Sequence, residues 1–171
     1  MTILLLGYMA SGKSSVSKLL GKELGLSVLD LDDYIERKEE KTIREIFETK
    51  GEIYFRTKEH AYLKEILETK EAMIISLGGG TPCYANNMNL IHEYTKHTFY
   101  LQTSIPEIIN RVKDEKAKRP LISAIADEDL PEFIGKHLFE RNAFYQQATH
   151  RILTDKKSVE ELVQEIEALL N

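Results

Sequence analysis

Residues 3–14 read ILLLGYMASGKS, an apolar run that leads directly into a loop of small residues. Within it, Gly7 to Ser14 matches the pattern G-x-x-x-x-G-K-[ST] of phosphate-binding loops. The apolar run predicts a buried strand, and apolar residues recur at helical spacing behind the loop until Gly25. Strand, loop and helix in this order are the context that the pattern requires, and an ordinary glycine-rich turn is the alternative.

A loop of this kind binds a polyphosphate mainly through its backbone. Glycines let the chain wrap closely around the phosphates, and the amide N–H groups and the helix N-terminus supply partial positive charge. We expect Lys13 to reach the terminal phosphates and the hydroxyl of Ser14 to coordinate magnesium. The motif therefore predicts a nucleotide-binding protein.

The length and composition favour one domain over residues 1–171. Lys and Arg number 23 against 28 Asp and Glu, a net charge of −5, so we expect no binding to nucleic acid or to a membrane surface. The only cysteine, Cys83, excludes an internal disulfide, and the N-terminus reads as neither a signal peptide nor a membrane span. These features predict a cytoplasmic protein.

Strands and helices alternate along the rest of the chain. The further strands are expected at residues 26–30, 73–77, 98–101 and 151–153. The further helices are expected within residues 34–70, with breaks near Thr42 and Gly51, and at about 85–94, 105–114, 131–148 and 158–170. This alternation predicts an α/β fold of three layers, α/β/α, with a five-stranded parallel sheet and a ligand site at the carboxyl ends of its strands.

Asp30 and Asp32 lie two positions apart at the end of the second predicted strand, where extended backbone points both carboxylates to the same side. One of them is expected to hold magnesium through water, and the other to accept or orient the proton of an attacking hydroxyl. Helix capping is the alternative, and Asp33, with Glu36 as its capping-box partner, is the better candidate for that role. The pair is therefore interpreted as part of a phosphoryl-transfer site.

A run of three glycines, Gly78, Gly79 and Gly80, follows the third predicted strand. Residues without side chains let a ligand approach the backbone closely and expose N–H donors to an anion. A tight turn into Pro82 explains the run equally well.

Two arginines are candidates for binding an anionic substrate. Arg56 lies between Glu52 and Glu59 at helical spacing, so salt bridges within the helix are an alternative explanation for it. Arg141 shares a helical stripe with apolar residues, and a guanidinium on an inward face needs either a structural carboxylate or a substrate anion. We favour the substrate for Arg141, because the planar guanidinium suits bidentate recognition of a carboxylate or phosphate.

The charged stretch that ends at Arg119 and Pro120 predicts a mobile lid over about residues 112–128. A lid beside a phosphate site excludes water from the transferring phosphoryl group and brings a cation to its developing charge. A solvated run of charges is the alternative interpretation of the same residues.

Together these pieces resemble the shikimate kinase family, small P-loop metabolite kinases whose fold is like that of nucleoside monophosphate kinases. The resemblance covers nearly the whole chain, and the order and spacing of the motifs together make it specific. It is carried by the phosphate loop Gly7–Ser15, Asp30-Leu31-Asp32, Gly51-Glu52, Phe55-Arg56, Leu77-Gly78-Gly79-Gly80, Arg119-Pro120-Leu121, and Arg141 with Tyr145.

The resemblance implies transfer of the γ-phosphate of ATP to the 3-hydroxyl of shikimate, giving shikimate 3-phosphate and ADP in the pathway to chorismate and the aromatic amino acids. It implies Mg²⁺ held by Ser14 and Asp30, with Lys13, Asp32 and Arg119 as catalytic residues. The residues implied to bind ATP are Ala10, Ser11, Gly12, Lys13, Ser14, Ser15, Arg119 and, at the adenine, Lys156. Those implied to bind shikimate are Asp32, Arg56, Gly78, Gly79, Gly80 and Arg141. A helical substrate-binding segment at about residues 31–62 and a monomeric chain are also expected.

Two other functions compete with this interpretation. The first is a kinase of the same architecture for another small molecule, such as gluconate or a nucleoside monophosphate. The second is a nucleotide-dependent binding switch without catalysis, which predicts ATP binding with no turnover. Asp30, Asp32 and Arg119 argue against the switch, because positioning and charge stabilisation are most of what phosphoryl transfer requires.

Overall fold

The computed structural model describes all residues 1–171 and contains one sheet of five parallel strands, in the order β2-β3-β1-β4-β5. The strands are β1 (Thr2–Leu6), β2 (Ser27–Asp30), β3 (Met73–Ser76), β4 (Thr98–Gln102) and β5 (His150–Leu153). The helices are α1 (Lys13–Leu24), α2 (Leu31–Glu39), α3 (Ile43–Lys50), α4 (Glu52–Glu68), α5 (Asn87–Tyr94), α6 (Ile105–Val112), α7 (Leu130–Tyr145) and α8 (Val159–Leu170). The predicted α/β fold is confirmed.

The helix boundaries follow the local chemistry of the sequence. Gly25 ends α1 in the left-handed conformation, with φ of 65°. Thr42 begins α3 with a capping box that it shares with Glu45. Gly51, with φ of 86°, separates α3 from α4, because few residues with a side chain adopt that conformation. Both predicted breaks in the segment 34–70 are therefore confirmed.

Two apolar layers cover the two faces of the sheet. Leu4 and Leu6 of β1 point to the larger layer, which contains buried residues of α2 to α7. Ile3 and Leu5 point to the smaller layer, which is formed with α1 and α8. A strand that is apolar on both faces reads as a continuous apolar run, as β1 does in the sequence. The chain thus forms the predicted three layers.

The topology gathers the polar loops at one edge of the sheet. Strands β1, β2 and β3 are neighbours and parallel, so their carboxyl ends at Leu6, Asp30 and Ser76 open onto the same side. In sheets of this kind ligands bind beyond the carboxyl ends of the strands, where the strand order reverses. No helix of this chain combines the length and the apolar character that a membrane span requires.

Candidate active site

A cavity of about 770 Å³ lies at the carboxyl edge of the sheet. Its wall includes the phosphate loop, Asp30 and Asp32, two of the three glycines, and the lid residue Arg119. Five cationic side chains line it: Lys13, Arg111, Arg119, Arg141 and Lys157. Three acidic side chains, Asp30, Asp32 and Glu115, share the same wall. A net positive cavity in a chain of net charge −5 is suited to an anionic ligand.

The phosphate loop has the backbone conformation that its sequence predicts. Gly12, with φ of 91°, precedes the first turn of α1, and no side chain caps this helix. The free N–H groups at its N-terminus therefore face the cavity and are available to an anion. Gly7 is required for a different reason: there is no room for a side chain, because a methyl group there would lie 2.7 Å from the carbonyl oxygen of Leu101 on β4. Both glycines of the motif are thus required by geometry.

Lys13 lies against the loop that it belongs to. Its Nζ donates hydrogen bonds to the carbonyl oxygens of Gly7, at 2.6 Å, and of Tyr8, at 3.0 Å. Burial lowers the pKa of Lys13 to about 8, although Asp32 and Asp30 act in the opposite direction. The ammonium group is therefore held in place and is poorly hydrated, which strengthens its attraction for phosphate.

The structure corrects two predictions about the aspartates. Asp33 does not cap α2; Asp30 does, because β2 ends there and its Oδ1 accepts a hydrogen bond from the backbone N–H of Asp33. Asp32 does not lie in an extended segment, since α2 begins at Leu31. The first turn of α2 nevertheless brings Asp32 into the cavity beside Asp30. The first turn of the helix thus places the two carboxylates side by side, as expected, although not through an extended segment.

Asp32 has the properties of a general base. Burial raises its pKa to about 6, and the nearby carboxylates of Asp30 and Glu59 add to this effect, while Lys13 and Arg56 oppose it. A carboxylate with this pKa is ionised at neutral pH and accepts a proton more readily than an exposed one. Asp32 also lies against the triple glycine, where a methyl group on Gly78 would come within 2.8 Å of its Oδ1.

Arg141 has no acidic partner. Its guanidinium lines the cavity beside Gly79, where a methyl group would lie 3.1 Å from Nη1. The hydroxyl of Tyr145, one helical turn further on, donates a hydrogen bond of 2.6 Å to the carbonyl oxygen of Gly79. No structural carboxylate therefore pairs with Arg141, and its guanidinium is available to an anion in the cavity.

Arg56 does have acidic partners, as the alternative interpretation of its spacing predicted. Its guanidinium bonds to the buried carboxylate of Glu59 at 2.8 Å, lies 3.8 Å from Glu52, and stacks on the ring of Tyr84 at 3.9 Å. Neither Arg56 nor Gly80 lines the cavity, but the two are adjacent, because a methyl group on Gly80 would lie 2.6 Å from Nη2. Arg56 therefore contacts the glycine turn on the side that faces away from the cavity.

The predicted lid contains two short turns of 3₁₀ helix, Lys116–Lys118 and Asp127–Asp129, between α6 and α7. Arg119 lines the cavity, and its Nη2 contacts Glu115 at 3.1 Å. Ile122 is fully buried and packs with the core. Ile125 packs, partly buried, against the same core, so apolar contacts anchor a segment that is largely exposed.

The sequence did not identify three further residues of the cavity: Ser76, Arg111 and Lys157. Ser76, the last residue of β3, is buried, and its Oγ has no hydrogen-bond partner. Arg111 donates to Glu107 and to the carbonyl oxygen of Ala10 in the phosphate loop. Lys157 lines the cavity, whereas Lys156 does not. A polar residue at the end of an apolar strand, two positions before the triple glycine, is the signal that could have identified Ser76.

The fold and this site define a P-loop kinase whose fold is like that of nucleoside monophosphate kinases. The family model described as shikimate kinase matches residues 9–171. The chain belongs to the shikimate kinase family, whose members are phosphotransferases with an alcohol group as acceptor.

Individual relatives agree with this assignment. A shikimate kinase of Flavobacterium psychrophilum is 45% identical over 168 residues, which cover 98% of each chain. The crystal structure of shikimate kinase from Bacteroides thetaiotaomicron superposes with a TM-score of 0.92 at 34% identity and covers 99% of this chain and 98% of that one. Shikimate kinase from Acinetobacter baumannii, solved in complex with shikimate, gives 0.87 at 32% identity and covers 99% of this chain and 92% of that one.

Proposed function

We propose that this chain, a shikimate kinase by family, transfers the γ-phosphate of ATP to the 3-hydroxyl of shikimate in the cavity at the carboxyl edge of the sheet. The observation that supports this most is the cavity wall itself. It joins a phosphate loop, a carboxylate with a pKa of about 6 and an arginine without an acidic partner. These are a donor site, a base for a hydroxyl and a receptor for a substrate carboxylate.

On the donor side, the backbone N–H groups from Ala10 to Ser15 bind the phosphates of ATP, and Lys13 contacts the terminal ones. The oxygens of Ser14, Asp30 and Ser76 suit Mg²⁺, a cation that prefers oxygen ligands and keeps several waters. The unpartnered Oγ of buried Ser76 supports this fit, because a bound water of the ion would satisfy it. Mg²⁺ neutralises phosphate charge when it is bound with ATP.

On the acceptor side, Asp32 accepts the proton of the attacking hydroxyl, and Arg141 binds the carboxylate of shikimate. Gly78 and Gly79 let the ring approach the backbone. Arg56 contributes through Gly80, because its guanidinium lies against this end of the glycine turn. Arg119 neutralises the charge that develops on the transferring phosphoryl group.

We assign two functional segments within the single domain 1–171: a substrate-binding segment at about residues 31–62 and a lid at about 112–128. Closure of the lid moves Arg119 from Glu115 to the γ-phosphate. Trypsin cleaves after Lys116 and Lys118 but not after Arg119, which precedes Pro120. Closure of the lid protects both sites, so MgATP should slow cleavage there by severalfold. Cleavage at the same rate with and without MgATP would contradict the lid assignment.

The test of the function is ADP formation from MgATP by the purified protein, with shikimate, gluconate and a set of nucleoside monophosphates compared at one protein concentration. We expect turnover with shikimate alone, and none without an acceptor. Turnover with another acceptor would retain the donor site and reject the acceptor assignment. ATP binding without any turnover would identify a nucleotide-dependent switch.

The same preparation tests two further expectations from the sequence. Size-exclusion chromatography with light scattering should give a mass near the 19.7 kDa of one chain. A mass of two chains would contradict the expected monomer. The expected cytoplasmic location is tested by fractionating cells that express the full chain.

A further inference from the structure

Arg141 differs from the other four cations of the cavity. Lys13 donates to backbone carbonyl groups, and Arg111, Arg119 and Lys157 each contact a carboxylate. Arg141 forms no salt bridge, and the polar side chain beside its guanidinium is the neutral hydroxyl of Tyr145. A long side chain of this kind is positioned by the helix that carries it and by the contacts of that helix. The contacts of α7 on either side of Arg141 therefore determine where the guanidinium lies.

Two tyrosine hydroxyl groups hold α7 on either side of Arg141. His137, Arg141 and Tyr145 follow each other at intervals of four and so share one face of the helix. The hydroxyl of Tyr145 donates to Gly79, as described above. At the other end, Nδ1 of His137 lies 2.9 Å from the hydroxyl of Tyr8. Arg141 is thus bracketed by one bond to the glycine turn and one bond to the phosphate loop.

Tyr8 connects the two halves of the site. It belongs to the phosphate loop, only 2% of it is exposed, and its carbonyl oxygen accepts the hydrogen bond from Lys13. Its ring lies edge-to-face with the ring of His137 at 5.3 Å, and 5.9 Å from the guanidinium carbon of Arg141. Burial raises the pKa of Tyr8 to about 12 and lowers the pKa of His137, so at neutral pH the bond joins a phenol and a neutral imidazole.

We propose that Tyr8 and His137 are positioning residues for the acceptor, whose hydrogen bond fixes α7 to the phosphate loop and holds Arg141 in place for the substrate carboxylate. The inference rests on the proposed role of Arg141. Neither side chain touches the reacting atoms, so loss of the bond should weaken acceptor binding and leave the transfer step intact. ATP binding should also be preserved, because Tyr8 contributes only its backbone carbonyl to the contact with Lys13.

The test compares steady-state kinetics of Tyr8→Phe, His137→Leu, His137→Asn and the double variant Tyr8→Phe/His137→Leu. Loss of one hydrogen bond should raise the KM for shikimate about threefold to tenfold, with kcat and the KM for ATP within about twofold of wild type. The double variant should be no worse than either single one, because both remove the same bond. His137→Asn places an amide near the position of Nδ1 and should restore the wild-type KM. Tyr94→Phe, a half-buried tyrosine whose hydroxyl has no partner, is the matched control.

Arg141→Lys separates this inference from the proposed function. If it raises the KM for shikimate while Tyr8→Phe does not, the positioning role is wrong and the function stands. If Arg141→Lys changes nothing, the role of Arg141 fails and the positioning role fails with it. Thermal unfolding is measured for every variant. If Tyr8→Phe lowers kcat and melting temperature together and His137→Asn does not rescue, the bond is merely structural and the inference is overturned.

Discussion

The donor half and the acceptor half of the cavity are built in different ways. The donor half is a contiguous loop, residues 7–15, and its phosphate-binding groups are backbone N–H groups at the start of α1. The acceptor half is assembled from three separate places: the side chain of Asp32 on α2, the backbone of the turn at Gly78–Gly80, and the side chain of Arg141 on α7. The groups of the donor half lie within a few residues of each other in the sequence, whereas Asp32 and Arg141 of the acceptor half are more than a hundred residues apart.

This difference has a consequence for substitution. Backbone groups survive most changes of side chain, so the donor half depends on a few special positions such as Gly12 and Lys13. Each function of the acceptor half depends on one side chain, whose place is fixed by packing between distant elements. Single substitutions on the acceptor side should therefore change one kinetic constant at a time.

The largest effect should come from Asp32→Asn. An amide keeps the shape of the side chain but accepts no proton, so kcat should fall by about 10²-fold to 10⁴-fold, while the dissociation constant of ATP stays within about twofold. Asp33→Asn, an exposed residue in the same helical turn, is the control and should retain activity. Steady-state kinetics and equilibrium binding of a nucleotide analogue measure both quantities. A comparable loss of ATP affinity in Asp32→Asn would contradict the separation of the two halves.

Arg141 of the acceptor half and Arg56, which contacts the glycine turn from outside the cavity, should respond differently to replacement by alanine. Arg141→Ala should raise the KM for shikimate by about tenfold to 100-fold, the value of a charge-assisted hydrogen bond, and leave the melting temperature nearly unchanged. Arg56→Ala leaves the buried carboxylate of Glu59 without its cation, so it should also reduce the free energy of unfolding by about 2–4 kcal/mol. Equal melting temperatures for the two variants would show that the buried carboxylate of Glu59 does not depend on Arg56 for its stability in the fold.

The pH profile should separate the halves by their titrating groups. Asp32 must be ionised to act as a base, so kcat/KM for ATP should fall about tenfold per pH unit below the pKa of about 6. Lys13 must be protonated to bind phosphate, so the same constant should also fall above about pH 8. The alkaline fall should be absent from kcat, because bound phosphates stabilise the protonated amine. A flat profile of kcat/KM between pH 5 and pH 9 would refute both assignments.

The same contrast explains what the sequence predicts and what it does not. The phosphate loop and the alternation of strands and helices were predictable because each depends on local spacing. The cap of α2 was assigned to Asp33 because the helix was expected to begin near residue 34, and only the structure shows that it begins at Leu31, directly after the strand. The bond between Tyr8 and His137 joins residues 129 positions apart, and no local pattern reports such a contact.

The smallest effect is that of Asp32 on the stability of the fold. Replacing this residue should lower activity but raise stability at neutral pH. The pKa of Asp32 is about 6 in the folded chain and 3.8 without it, so folding favours the protonated carboxyl. The stability that Asp32 contributes is present below about pH 4 and is lost as the pH rises through 6, after which the ionised group costs about 1–3 kcal/mol, allowing for partial exposure to solvent.

Asp32→Asn removes that cost, so at pH 7.5 it should raise the melting temperature by about 2–8 °C, and at pH 4 it should leave it unchanged. Thermal unfolding at the two pH values measures the difference, with Asp33→Asn again as the control. A less stable Asp32→Asn variant at pH 7.5 would mean that the ionised carboxylate is stabilised by its cations rather than strained by burial. In that case its pKa lies below the ordinary value, and the acid limb of the pH profile must belong to another group.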